Sequence, residues 1–210
     1  MSVVTYEDRL DANRRWALLE GSMHFEQNSS VFKALEKVTR RLNEIEVDYA
    51  VAGGMALFQH GYRRFTDDVD ILVNREGLKR LHDELEGLGW VAPFPGSKNL
   101  RDTENGVKVE FIITGDYPGD GKPKPVAFPE PSQVFVDLDG VKVLSLPSLI
   151  ELKLASGITN PLRGKDLVDV QELISALKLD DDLAEKLNPF VRQKYLDIVQ
   201  LLRDNPQPPE

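Results

Sequence analysis

The segment 49–74, YAVAGGMALFQHGYRRFTDDVDILVN, decides the fold of this chain. Its apolar start, Tyr49 to Ala52, predicts a β-strand that ends at Gly53-Gly54. Met55 to His60 then predicts a short helix, and a second strand is expected from Asp68 to Asn74. A glycine turn between a strand and a helix exposes backbone N–H groups, an arrangement that binds phosphate in many proteins. The segment therefore predicts a phosphate-binding turn between two core strands.

Two carboxylates belong to the second of these strands. Asp68 and Asp70 share one face, because alternate residues of a strand point the same way. They repel each other unless a cation lies between them, and Mg²⁺ or Mn²⁺ is the simplest candidate because hard cations prefer carboxylate oxygens. The alternative is a pair of exposed edge-strand carboxylates or turn caps. The apolar run 71–73 indicates a buried strand, where unpaired carboxylates are costly, and so favours the metal site.

A third carboxylate is expected from a neighbouring strand. Residues 107–113 alternate between apolar and polar types and predict a strand with Glu110 on its polar face. Glu110 would be either neutralised by Lys108, which shares that face, or a metal ligand and base. We favour the second interpretation. The three carboxylates would hold one or two ions that polarise an α-phosphate, while a carboxylate helps to deprotonate the attacking hydroxyl.

The residues around the acidic pair have more than one interpretation. Arg64 would offset the charge of a triphosphate, or else form a salt bridge to Asp67 or point into solvent. Thr66 is expected to orient the strand that carries Asp68 by hydrogen bonding. The two glycines serve either phosphate binding or a tight turn, since the chain lacks the glycine spacing of a dinucleotide fold and the Gly-Lys-Ser/Thr of a P-loop.

A second charged cluster follows in the C-terminal part of the chain. Lys153 lies on one predicted helix, and Arg163, Lys165, Asp166 and Asp169 lie near the start of the next. The lysines would reach nucleotide phosphates, whereas the helix dipole alone favours Asp166 and Asp169 near a helix start. The sequence leaves both interpretations open.

Composition limits the class of protein. The 210 residues are 41% hydrophobic and 29% charged, contain no cysteine and carry a formal net charge of −9. These values are typical of a globular protein without a disulfide framework or a thiolate metal site. The net negative charge argues against binding of nucleic acid over the whole surface, because Lys and Arg are needed to neutralise the phosphates. Neither an export signal nor an apolar run of roughly 20 residues is visible, so we expect a cytoplasmic protein outside the membrane.

Strand patterns end near Leu144, and helical patterns follow. This shift predicts four parts: an N-terminal extension (1–27), an α/β core (28–145), a C-terminal helical part (146–204) and a flexible tail (205–210).

Local signals predict further elements. A helix is expected from Tyr6 to Leu19, and another from Leu149 to Ala155 that ends at Gly157. The proline- and glycine-rich run 117–131 predicts a long loop, which is either functional or a plain surface excursion. Asp139-Gly140 predicts the turn of a hairpin.

Several blocks of the sequence together resemble the DNA polymerase β-type nucleotidyltransferase superfamily. They are GG-x-A-x(3)-H-G, R-x-T-x-D-V-D-I-L-V, V-x-V-E-F, K-L-A and R-x-K-D-L-x-D, which span roughly Tyr49 to Ile174. Within the superfamily the chain is similar to bacterial stand-alone nucleotidyltransferases related to the toxins of type IV toxin–antitoxin systems. The first two blocks, with their spacing, carry most of the resemblance.

The resemblance implies a fold, a substrate and site residues. It implies an α/β (α+β) fold with a mixed sheet flanked by helices, a C-terminal helical part, a nucleoside triphosphate substrate and Mg²⁺. By analogy, Asp68 and Asp70 hold metal, Glu110 is the third acidic position and Gly53-Gly54 meets the triphosphate. Lys153 and the segment Arg163, Lys165, Asp166 touch nucleotide or support the site. The acceptor remains open between RNA, protein and a small molecule, and a cognate antitoxin would be a further partner.

Two departures from the family pattern keep a second hypothesis open. Many members have Ser where this chain has Gly54, and Asp where it has Glu110. The alternative to a nucleotidyltransferase is therefore a catalytically inactive relative that binds nucleotide or a partner protein. A dinucleotide-binding oxidoreductase would use only the glycine turn and would leave the three carboxylates unexplained.

Overall fold

The structure is a computed structural model that describes residues 4–205. Its helices are α1 (Tyr6–Ala12), α2 (Arg14–Phe25), α3 (Ser30–Glu44), α4 (Gly53–Gln59), α5 (Arg75–Leu85), α6 (Pro131–Val134), α7 (Leu146–Thr159), α8 (Gly164–Leu177) and α9 (Pro189–Asp204). Its strands are β1 (Tyr49–Val51), β2 (Asp68–Val73), β3 (Trp90–Val91), β4 (Leu100–Asp102), β5 (Lys108–Ile113), β6 (Phe135–Leu138) and β7 (Val141–Leu144). The predicted tail lies outside the described residues except for Asn205.

The strands form one seven-stranded sheet in the order β3-β4-β5-β2-β1-β7-β6. The β2–β5 and β1–β7 pairs are parallel and the other pairs are antiparallel. The expected mixed sheet flanked by helices, followed by helices at the C-terminus, is therefore confirmed. The strand that carries the acidic pair lies in the middle of this sheet.

The core lies between the sheet and its helices. Helix α3 begins at an N-cap, where the Ser29 side chain accepts a hydrogen bond from the Phe32 N–H. Its apolar residues recur at helical spacing and are fully or almost fully buried: Val31, Leu35, Val38 and Leu42. The apolar residues of β2 and β5 are also buried, except for the partly exposed Ile112, so one face of the sheet is covered where the acidic strands run.

The N-terminal residues form two helices. The predicted single helix from Tyr6 to Leu19 was wrong, because α1 ends at Ala12 and α2 begins at Arg14. Asn13 separates them, and its side-chain oxygen accepts a hydrogen bond from the Trp16 N–H, which caps α2.

Both N-terminal helices pack onto the rest of the chain. Tyr6 is 0% exposed, its N–H donates to the Gly106 carbonyl, and its hydroxyl donates to Glu20 at 3.0 Å. Glu20 in turn accepts hydrogen bonds from the N–H and the hydroxyl of Ser30 at the start of α3. The boundary at residue 27 stays a prediction, but residues before it contribute to the same core.

The predicted loop and hairpin are both present. Residues 114–130 contain neither helix nor strand, and α6 begins at Pro131. The loop is anchored: the N–H of Gly115 donates to the Phe128 carbonyl, and the Nζ of Lys124 donates to the Pro118 carbonyl and to Thr159. Positive φ angles at Asp139 (54°) and Gly140 (83°) make the turn between β6 and β7.

Helix α7 continues past the predicted stop at Gly157 and ends at Thr159, so that prediction was wrong. A Cβ on Gly157 would lie 2.5 Å from the Cγ of Leu167 on α8. The glycine therefore allows two helices to pack closely and does not end α7. The structure also contains β4 and α6, which the sequence patterns did not predict. None of the helices in the described part of the chain is long and apolar enough to cross a membrane.

Candidate active site

Three carboxylates converge on the sheet. Asp68 and Asp70 belong to β2, and Glu110 belongs to the parallel neighbour β5, where it pairs in register with Asp70. Each residue has a carboxylate oxygen within 4.8 Å of the others. The side-chain alternation of two adjacent strands thus produces a cluster of three acids on one face, as the sequence predicts.

Asp70 lies deepest of these three acids. Burial raises its pKa to about 7, and the neighbouring charges of Asp68 and Glu110 add to the shift against the opposing effect of Lys153 and Arg163. Among residues 4–205, no side chain forms a hydrogen bond or ion pair with this carboxylate. A partly buried carboxylate without a donor is costly unless a cation binds it.

Asp68 is held by a hydroxyl. The Oγ1 of Thr66 donates to the Oδ1 of Asp68 at 2.8 Å, which is the orienting contact expected for Thr66. Burial raises the pKa of Asp68 despite this hydrogen bond, and Asp67 and Glu110 raise it further. One carboxylate oxygen of Asp68 is therefore fixed, and the other remains free to bind a cation.

Glu110 belongs to the acidic cluster and also has a cationic partner. The Nζ of Lys108 lies 2.6 Å from its Oε1, with the two side chains 29% and 37% exposed. Both interpretations made from the sequence therefore describe part of the geometry. Burial disfavours the ammonium form of Lys108, but Glu110, followed by Asp68 and Glu7, raises its pKa above the usual range, so this side chain stays charged.

The glycine turn closes tightly over the acids. Gly53 has a φ of 57°, and a Cβ built on it would lie 1.7 Å from the Oδ2 of Asp70. A Cβ on Gly54 would lie 2.7 Å from both the Cβ and the Oγ1 of Thr66. The side chains of the acidic strand thus occupy the space that larger residues would need, which explains both glycines by sterics.

A buried ion network joins the sheet to the C-terminal helices. The Nζ of Lys153 on α7 lies 3.0 Å from Asp166 and 2.7 Å from Asp169, which are both on α8. Asp169 also accepts two hydrogen bonds from the guanidinium of Arg64, at 2.8 and 3.1 Å. Lys153 and Asp169 are only 9% and 2% exposed, so these charges compensate one another inside the protein.

Asp166 has two further partners. The hydroxyl of Ser156 donates to it at 2.6 Å, and the Nε of Arg163 donates to it at 3.0 Å. Burial opposes ionisation of this carboxyl, but Lys153, Ser156 and Arg163 together hold the pKa of Asp166 below its usual range. Arg163 remains 59% exposed and can contact a ligand as well.

Two adjoining cavities lie over the acidic cluster. The larger, about 250 Å³, is polar and is lined by Gly53, Gly54, Arg64, Thr66, Asp67, Asp68, Asp70, Lys153, Leu162, Arg163, Lys165 and Asp166. The smaller, about 100 Å³, is mostly apolar and extends between the 114–130 loop, the end of β7 and α7. It shares Gly53, Asp70, Lys153, Arg163 and Asp166 with the polar cavity.

The structure brings together all the residues that the sequence singled out. Gly53, Gly54, Arg64, Thr66, Asp68, Asp70, Lys153, Arg163, Lys165 and Asp166 line the polar cavity, and Glu110 adjoins it through the acidic cluster. The sequence analysis did not predict a role for Ser156, and it included Asp169 in the charged cluster without predicting its ion pairs. Asp169 lies one helical turn after Asp166, a spacing that would have placed both carboxylates on one face of α8.

The donor set fits a divalent cation. Three carboxylate oxygens within 4.8 Å of one another match the oxygen preference of Mg²⁺ and Mn²⁺. The unpartnered Asp70 carboxylate is the observation that most favours a cation here. Asp68, Asp70 and Glu110 are the residues that would hold the ion.

Comparison with solved structures gives distant similarity to nucleotidyltransferases. ANT(2'')-Ia, solved in complex with adenylyl-2''-tobramycin, is 13% identical with a TM-score of 0.49, over 79% of this chain and 96% of that chain. A nucleotidyltransferase described as putative, from Thermotoga maritima, is 20% identical with a TM-score of 0.46, over 65% of this chain and 89% of that one. An antigenic nucleotidyltransferase-like protein from Paracoccidioides brasiliensis is 16% identical with a TM-score of 0.47, over 83% and 88%.

Family membership rests on a different comparison, because these structures are too distant to carry it. None of the curated protein sequences matches the chain significantly. The model of a family of uncharacterised nucleotidyltransferases matches residues 17–190, which include the acidic cluster and the ion network. This match agrees with the resemblance to the DNA polymerase β-type superfamily. The chain is thus a member of this family of uncharacterised nucleotidyltransferases.

Proposed function

We propose that the protein transfers a nucleoside monophosphate from a nucleoside triphosphate to a hydroxyl group, with release of pyrophosphate, and that it requires Mg²⁺ or Mn²⁺. The observation that carries the proposal is the convergence of Asp68, Asp70 and Glu110 beside a polar cavity with basic residues at its edge. Membership of a nucleotidyltransferase family supports this reaction class.

The three acids have separate roles in this proposal. Asp68 and Asp70 bind the cation, which when bound polarises the α-phosphate and offsets its charge. Glu110, whose side chain is 37% exposed, completes the cation site and accepts a hydrogen bond from the acceptor hydroxyl. Thr66 keeps Asp68 in one orientation, so that its free oxygen points towards the cation site.

The basic residues divide into ligand-binding and positioning groups. Arg163 and Lys165 line the polar cavity and bind the triphosphate oxygens. Lys153 and Arg64 form ion pairs with Asp166 and Asp169. They therefore hold α7 and α8 in position and add positive electrostatic potential to the cavity. Gly53 and Gly54 line the polar cavity and present their backbone to the phosphates, while Asp70 and Thr66 fill the space where a Cβ would lie.

The apolar cavity next to Asp70 would receive the base of the nucleotide. Its walls include Leu72, Ile112, Phe128 and Leu149, which can stack against a flat ring. Apart from the charged residues that it shares with the polar cavity, Ser156 is its only polar side chain among the described residues, so we expect it to bind several bases with similar affinity.

The experiment uses the purified full chain with each of the four α-labelled nucleoside triphosphates, Mg²⁺ or Mn²⁺, and a cell extract. Label transferred to RNA, to protein or to a small molecule identifies donor and acceptor together.

We expect Asp68→Asn to lower transfer at least a hundredfold, because it removes a cation ligand while keeping the side-chain volume. Asp83→Asn, an exposed substitution on α5, is the matched control and should transfer as the wild type does. Equal transfer by Asp68→Asn and the wild type would refute the proposal.

A second candidate function is nucleotide binding without turnover. The ion pair between Lys108 and Glu110 favours it, because a carboxylate neutralised by lysine is a weaker ligand and base. This candidate expects triphosphate binding without pyrophosphate release for every acceptor in the extract. Cation-dependent pyrophosphate release by the wild-type chain would exclude it.

If an RNA acceptor is labelled and expression arrests growth, a cognate antitoxin becomes the partner to seek in the neighbouring gene product.

A further inference from the structure

We propose that Lys108 is a built-in cation of the acidic cluster that takes the place of a second divalent ion beside Glu110, so that the chain holds a single ion. The inference rests on the proposed function, because it concerns the cation site of that reaction. It goes beyond that function by fixing how many ions the site accepts and which side chain sets that number.

The position of Lys108 follows from the sheet. Lys108 pairs in register with Asp68 across the parallel β2–β5 ladder, and it lies two residues before Glu110 on the same face. A lysine at this position cannot avoid the acidic cluster, since its neighbours across the ladder and along the strand are both ligand candidates. Its Nζ lies 2.6 Å from the Oε1 of Glu110.

Further acids surround the lysine and keep it in place. The carboxylate of Glu7 on α1 also acts on Lys108 and, with Glu110 and Asp68, raises the pKa of its ammonium group. Glu7 is itself oriented by Arg101 on β4, whose Nη1 lies 2.7 Å from its Oε2. Lys108 therefore lies between acids from three elements, and leaving Glu110 for solvent would lose this stabilisation.

Charge balance gives the expected number of ions. Asp68, Asp70 and Glu110 carry three negative charges when ionised, and the ammonium group of Lys108 carries one positive charge. The net charge of these four side chains is therefore −2. A single divalent ion neutralises that remainder. A second divalent ion at Glu110 would have to displace the ammonium group or bind beside it, and like charges at such short range repel strongly.

The test measures Mn²⁺ binding to the full chain by the loss of the free-ion EPR signal, without any turnover. We expect the wild type to bind a single Mn²⁺. Lys108→Met keeps the length of the side chain and removes its charge. We expect this variant either to bind a second ion or to bind Mn²⁺ about tenfold more tightly or better, because the competing cation is gone. Lys108→Arg should behave like the wild type.

Two controls separate the outcomes. Lys79→Met on α5 removes an exposed lysine that lines neither of the two cavities over the cluster, and it should leave Mn²⁺ binding unchanged. Asp68→Asn should weaken binding in the wild-type and Lys108→Met backgrounds alike.

The results distinguish the two proposals. If Asp68→Asn weakens binding but Lys108→Met changes neither stoichiometry nor affinity, the inference about Lys108 is wrong and the proposed function stands. If the wild type binds two ions, the inference is also wrong. If no variant binds Mn²⁺, even with a nucleoside triphosphate present, the proposed function fails as well. Urea unfolding of each variant verifies that loss of binding is not loss of the fold.

Discussion

At the scale of single residues, Gly54 illustrates how the fold constrains the site. The sequence alone marks it as a departure from the family pattern that leaves only a backbone amide. In the structure, the Cβ and Oγ1 of Thr66 would lie 2.7 Å from any Cβ at this position. Thr66 in turn orients Asp68. Residue 54 itself carries no hydroxyl, but Thr66, two residues before the acidic strand, places one beside it.

We expect Gly54→Ala to destabilise the protein by about 1–3 kcal/mol, because the new methyl group forces Thr66 out of its position. Gly164→Ala is the matched control, since no heavy atom lies within 4 Å of a Cβ at that residue. Urea unfolding measures both variants. In a double-mutant cycle, Gly54→Ala should cost less in a Thr66→Gly background. A cost that is the same in both backgrounds would contradict the steric explanation.

Asp70 predicts a pH dependence of stability. Its pKa is about 7 in the folded protein and lower in the unfolded chain, so the folded state binds more protons between those two values. The free energy of unfolding of the metal-free protein should therefore fall as the pH rises from about 4 to about 7, and change little from this group above that range.

We expect Asp70→Asn to abolish this part of the pH dependence. At pH 8 the variant should be more stable than the metal-free wild type by about 1–2 kcal/mol, a figure reduced for solvent screening of a partly exposed group. It should also lose Mn²⁺ binding. Unfolding curves from pH 4 to pH 8 measure the difference. Parallel pH profiles for the wild type and the variant would show that Asp70 is not the group responsible.

At the scale of secondary-structure elements, the ion network fixes how α7 and α8 meet the acidic strand. Lys153 on α7 contacts two carboxylates of α8, and Arg64, which precedes β2, contacts one of them. The network thus connects three segments that are distant in sequence. A buried charge that loses one partner is costly, because the remaining groups keep their desolvation penalty.

We expect Lys153→Met to lower the free energy of unfolding by about 3 kcal/mol, since Asp166 and Asp169 lose a partner that they share. Arg203→Met removes one side of an exposed ion pair with Asp181 and should cost far less, because solvent screens that pair. Urea unfolding compares the two variants. Equal costs would mean that burial does not govern the strength of these pairs.

The elements differ in how well the sequence predicts them. The strand pattern of residues 107–113 and the helical pattern of α3 are long and regular, so hydrophobic periodicity locates both. Strand β4 has only three residues, which is too short for a periodic signal. Gly157 suggests a helix end, but its role is to admit Leu167 from another helix.

The same contrast between local sequence patterns and packing of separate elements applies to the site. Asp68, Asp70 and Glu110 were predictable together because strand alternation is a local property and the two strands are regular. The contact of Thr66 with Gly54 and the sharing of Asp169 by Lys153 and Arg64 were not predictable, because they depend on how separate elements pack.

At the scale of the whole molecule, residues of the N-terminal helices pack into the same core as the sheet. Tyr6 is completely buried and connects to α3 through Glu20. His24 on α2 lies against the rings of Phe32, Phe58 and Phe65, with its Nε2 3.2 Å from the Arg64 carbonyl. The first helices therefore support the segment that leads into the acidic strand.

We expect removal of residues 1–12 to lower the free energy of unfolding by about 3 kcal/mol or more, because it deletes a buried aromatic side chain and leaves Glu20 short of a donor. The full chain should unfold in a single transition when followed by circular dichroism and by tryptophan fluorescence. Tyr6→Phe tests the hydroxyl separately and should cost about 1–2 kcal/mol. An unchanged urea midpoint after the truncation would mean that this segment is an independent appendage.

The strand order also indicates where a reporter group can be inserted into the protein. The acidic cluster lies on the central strands β2 and β5, whereas the hairpin tip at Asp139-Gly140 joins the edge strand β6 to its neighbour β7. A fluorophore or affinity tag inserted at that tip would report on the molecule from a distance and leave the acidic cluster unperturbed.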